Sequence, residues 1–70
     1  MNPRNVKLNE LKAQARENGK KVKRGEMEFE DAVMRNSSNV FAVETEEPDL
    51  FPSPDSLIRE LDLITEENMN

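Results

Sequence analysis

Apolar residues recur at helical spacing in the first third of the chain. Leu8, Leu11 and Ala15 stand three and four residues apart, so they share one face, with Lys7, Lys12 and Arg16 flanking it. Asn2-Pro3 ahead of that stripe is a helix start: an asparagine cap, then a proline where the missing N–H has no intrahelical partner to lose. Asn18-Gly19 reads as the stop, because glycine tolerates the left-handed backbone that closes a helix. The pattern predicts a helix over 3–18. A second stripe, Phe29, Ala32 and Val33, predicts another over 26–35. Glu26, Glu28, Glu30 and Asp31 lie at its positive end and Arg35 at its negative end. Asn36-Ser37-Ser38-Asn39 then breaks the pattern.

A competing register runs through the same residues. Leu8, Ala15, Val22 and Phe29 repeat every seven positions, as in one long helix of coiled-coil type. Asn18 and Gly25 fall on the interleaved positions, and an interior glycine costs about 1 kcal/mol. Two helices joined by a basic turn are therefore favoured, and the single helix is the alternative. Val40-Phe41-Ala42-Val43 is short and β-prone and predicts an extended segment, an edge for a partner strand. Glu44 to Pro54 is acidic and holds Pro48, Pro52 and Pro54, which exclude a helix and indicate a linker. Within it, Leu50-Phe51 serves either as a plug folded back on the core or as a docking anchor. Ser53-Pro54-Asp55 opens a third helix with a cap, a first-turn proline and a dipole-matched acid. Leu57, Ile58, Leu61 and Ile64 form its apolar stripe within an arc of about 120°, with Leu63 on the far side.

Charge divides the chain. Residues 1–24 carry eight bases against two acids, a net of +6, while residues 25–70 carry two bases against 13 acids, a net of −11. Such asymmetry marks a molecule that meets charged partners. Leu, Ile, Val and Phe make up 16 of 70 residues, just above the composition at which disorder is expected, so partial order alone is the prediction. The chain has no Cys and no His. No nucleophile has a base beside it, the two glycines make no phosphate loop, and Glu44, Glu46, Glu47 and Asp49 lack the ordered pattern of a hard-metal site. The expectation is a non-enzyme without cofactor or metal. The longest apolar run, Val40 to Val43, is too short to span a membrane, so a cytoplasmic or virion setting is expected.

Two short stretches resemble known peptides. Glu60-Leu61-Asp62-Leu63-Ile64 is similar to the pentapeptide with which bacterial replication and repair proteins dock on the sliding clamp, Gln-Leu-Ser/Asp-Leu-Phe. Leu61, Asp62 and Leu63 match, while Glu60 stands for Gln and Ile64 for Phe. The resemblance implies an extended peptide that uses Leu63 and Ile64. Residues 23–32 resemble the turn-then-helix of short helical hairpins in small bacterial proteins, which implies local structure only.

The sequence thus predicts a mostly α chain: a helical hairpin or long helix over 1–36, basic at its start, an acidic proline-containing linker over 37–54, and an amphipathic helix over 55–67. Its expected role is a small regulatory or assembly adaptor, of the kind seen in phage or bacterial inhibitors and scaffolds. It would bind a larger protein, itself a nucleic-acid binder in one version, through Leu50, Phe51, Leu57, Ile58, Leu61 and Ile64 and an acidic surface. The alternatives are a nucleic-acid-binding accessory protein using Lys20, Lys21, Lys23 and Arg24, or a small structural subunit of a virion or complex, with homo-oligomers allowed for.

Overall fold

The computed structural model describes residues 2–70 and contains three helices: α1 (Pro3–Lys23), α2 (Phe29–Glu46) and α3 (Pro54–Glu67). Each helix packs on the other two. Arg4 and Leu8 line one groove with Ser53 and Leu57, Lys12 pairs with Glu60, and Lys23 reaches Asn70. Positions therefore ascend together along α1 and α3, which run parallel, while α2 runs antiparallel to both.

The predicted starts of α1 and α3 are present. Asn2 accepts a hydrogen bond from the Arg4 N–H at 2.9 Å, and Ser53 accepts one from the Ser56 N–H at 3.4 Å. The stops differ. α1 does not end at Gly19 but continues to Lys23. Gly19 is the place where α3 comes closest: a Cβ there would lie 2.3 Å from the Thr65 carbonyl oxygen. Leu11, Ala15 and Gly19, four residues apart and shrinking in size, let α3 settle against α1. The glycine that turns the chain is Gly25, with φ at +75°, so the single long helix does not form.

α2 begins at Phe29, three residues later than predicted, because Gly25 turns the chain just before it, and it runs on to Glu46. Asn36-Ser37-Ser38-Asn39 lies within it, and residues 40–43 are helical rather than extended. The local preference of these residues for turns is overridden by what they meet across the bundle. Val40 is fully buried in the core, and Asn36 is 1% exposed and bonded on both sides. Its Nδ2 donates to Thr65 Oγ1 at 3.0 Å and to Asp62 Oδ1 at 3.1 Å, and its Oδ1 accepts from Asn18 Nδ2 at 3.3 Å. Gln14 Nε2 donates to Asn18 Oδ1 at 3.0 Å, and Thr65 Oγ1 lies within reach of the carbonyls of Ala15 and Leu61. This network joins all three helices, and its members fix their relative register because a slip would strand buried polar groups.

The acidic linker contracts to residues 47–53. Asp49 adopts φ of +68°, which a short polar side chain tolerates, and the bend carries Phe51 inward. Leu11, Ala15, Val40, Phe51, Leu57 and Leu61 form one apolar cluster, with Leu8, Val43, Leu50, Ile58 and Ile64 packed against it. Each fully buried Leu or Phe contributes about 1.5–3 kcal/mol. The radius of gyration is 11.9 Å, near the roughly 11 Å of a folded chain of this length. The expected partial disorder is not found, because the linker supplies Phe51 and α2 supplies Val40 to a core that a count of apolar residues alone undervalues.

Candidate interaction surface

The six residues predicted to bind a partner lie together, three of them buried and three half-buried. Phe51, Leu57 and Leu61 are buried in the core, and Leu50, Ile58 and Ile64 pack against it. Of the two roles considered for Leu50-Phe51, the geometry matches the plug. The stripe of α3 is spent on α1 and α2, leaving Leu63 outside at 59% exposure. The clamp-like pentapeptide is likewise part of α3, with Leu61 fully buried, so the folded chain does not present it as an extended strand.

Lys20, Lys23 and Arg24 stand three and four positions apart and share one side of the end of α1, where Arg24 is the C-cap, with Lys21 about 100° from Lys20. Arg24 is bound to Glu26 and lies 3.5 Å from Glu17. The hydrogen bond that Arg24 donates to Glu26, the larger effect, and the charge of both carboxylates hold the Arg24 guanidinium above its ordinary pKa. Lys23 Nζ donates to the Asn70 carbonyl at 3.3 Å. The parallel course of α1 and α3 explains this contact. The last turn of α3 has no base of its own, and α1 brings one to its negative end.

What remains outside is a strip on α2. Met34 is 66% exposed and Phe41 54% exposed. Seven residues apart on one helix, they stand one above the other, about 10 Å along the axis. Exposed Ser38 lies between them. Asp31 stands one turn before Met34 and Glu44 one turn after Phe41. Glu44 Oε1 is shielded from solvent and has no hydrogen-bond partner among the described residues. α2 carries four acids and one base, Arg35, and α3 carries five acids and one base, Arg59, whereas α1 carries seven bases and two acids.

Sequence reasoning missed this strip because it placed Phe41 in an extended segment. The signal is the seven-residue step from Met34 to Phe41, which becomes visible once 36–43 is known to be helical. Elsewhere the surface is shallow. One groove of about 220 Å³ runs between Arg4, Phe51, Ser56 and Glu60, and another of about 250 Å³ between Lys7, Gln14, Asn39 and Val43. Among the described residues no group of three or more carboxylates could hold a metal ion, and no helix is long and apolar enough to cross a membrane. No protein-family model matches the chain, and neither the curated proteins nor the solved structures compared with it yield a significant match.

Proposed function

We propose that this protein is a non-enzymatic adaptor that docks on a larger protein through the outward face of α2. The observation that carries this reading is the pair Met34 and Phe41, left in solvent at 66% and 54% exposure while the apolar stripe of α3 is drawn into the core. A single exposed apolar residue, such as Leu63, is ordinary on a protein surface. Two stacked on one helical face form a ridge, and covering it returns roughly 25 cal/mol for each Å² removed from water. An aromatic ring supplies a rigid anchor and the thioether of methionine adapts to its counterpart. The acids of α2 and α3 suit a partner whose own face is basic. The corresponding experiment is capture of a partner by the tagged full chain, repeated with Met34→Ser/Phe41→Ser and with Leu63→Ser. The first variant is expected to lose the partner and the second to keep it. Retention by both would refute this assignment of the docking face. A second reading, nucleic-acid binding along α1, is favoured by the net charge of +5 on that helix and is tested by its salt dependence.

A further inference from the structure

We infer that the α2 face receives a cationic amphipathic helix, with leucine-like side chains against Met34 and Phe41 and lysine or arginine groups against Asp31 and Glu44. The inference rests on the adaptor reading and goes further by fixing the chemistry of the partner.

Two features lead to it. The first is shape: Met34, Ser38 and Phe41 make a ridge with a small residue between two large ones, and an apolar side chain of a crossing helix fits against Ser38. The second is charge. Acids stand one turn beyond either end of the ridge, and Arg35 is the one base on α2. A second copy of this chain fits less well, since two net −5 chains would meet along their acidic helices.

The probe is a pair of amphipathic peptides of about five helical turns, one with leucines on one face and lysines elsewhere, the other with glutamates replacing the lysines. The readout is the ε-methyl resonance of Met34 in ¹³C-methionine-labelled protein, with the partly buried Met27 and Met69 as internal references. The lysine peptide should shift Met34 and leave Met27 and Met69 in place. It should bind about tenfold or more tightly than the glutamate peptide at low salt, and the gap should narrow as salt screens the charges. Phe41→Ser should abolish the shift. Glu44→Gln should weaken binding several-fold, whereas Glu60→Gln, whose native carboxylate pairs with Lys12 at 3.3 Å, should not.

Equal binding of both peptides at Met34 would overturn the cationic partner while leaving the docking face in place. Shifts at Met27 or Met69 without Met34, or no shift at all, would overturn the inference. The adaptor reading falls with it only if the Met34→Ser/Phe41→Ser protein also keeps its captured partner. Movement of Met34 with protein concentration alone would assign the face to a second copy and overturn the inference as well.

Discussion

Alanine at position 19 should weaken this bundle, although alanine is the better helix former. In an unobstructed helix the change from glycine gains up to about 1 kcal/mol. Here the new Cβ would lie 2.3 Å from the Thr65 carbonyl oxygen, 2.7 Å from Asn68 Cβ and 3.2 Å from the Thr65 carbonyl carbon. Two of those atoms are backbone in the last turn of α3 and cannot rotate aside. Relief requires α1 and α3 to part, at about 1–3 kcal/mol for overpacking. Separation also stretches the 3.1 Å contact from Thr65 Oγ1 to the Ala15 carbonyl, worth about 1 kcal/mol. The balance is a net loss of about 1–3 kcal/mol, which for a domain this small lowers Tm by about 4–8 °C per kcal/mol. Thermal melting followed by far-ultraviolet circular dichroism measures it, with Asn9→Ala as control. Asn9 is exposed on the same helix, and alanine there should stabilise by a few tenths of a kcal/mol. Gly19→Ala melting at or above the native protein would refute the close approach of α3.

Two further outcomes follow from the same geometry. Thr65→Val removes the hydroxyl that accepts from Asn36 and donates across to α1, and should cost about 1–2 kcal/mol in urea unfolding, with Thr65→Ser restoring part of it. Charge reversal of Lys20, Lys21, Lys23 and Arg24 together should lower the urea midpoint, because the bases now at the negative ends of α1 and α3 become acids. If the native chain shifts no DNA or RNA at low salt, the nucleic-acid reading of that cluster is removed; a steep fall of binding with salt would support it.

How much of this was legible in the sequence depended on how local each cause is. α3 begins and ends where Ser53-Pro54-Asp55 and its stripe place it, because caps and periodicity act within a few residues. The asparagines mislead for the opposite reason. Asn36 breaks a helix when its side chain turns on its own backbone, yet here it is bonded to Asn18, 18 positions away, and to Thr65, 29 away. Gly19 and Gly25 look alike as local stop signals. Only the backbone of α3 makes the first a packing glycine and leaves the second to turn the chain. The exposed strip was hidden for the same reason: with 36–43 taken out of the helix, Met34 and Phe41 shared no face, and the α3 stripe was the amphipathic face that stood out.

The central claim is that Leu57 and Leu61 of α3 hold the fold while Met34 and Phe41 of α2 face outward. Urea unfolding of Leu61→Asp beside Met34→Ser/Phe41→Ser tests that division most directly. Leu61 is fully buried, so an aspartate there loses the burial of leucine and strands a charge. The cost, about 4 kcal/mol or more, rivals the whole stability of a 70-residue chain, about 4–10 kcal/mol. The account predicts that Leu61→Asp unfolds in the absence of urea and that Met34→Ser/Phe41→Ser unfolds within about 0.5 kcal/mol of the native protein. A folded, native-like Leu61→Asp, or a loss of several kcal/mol in the α2 variant, would contradict it.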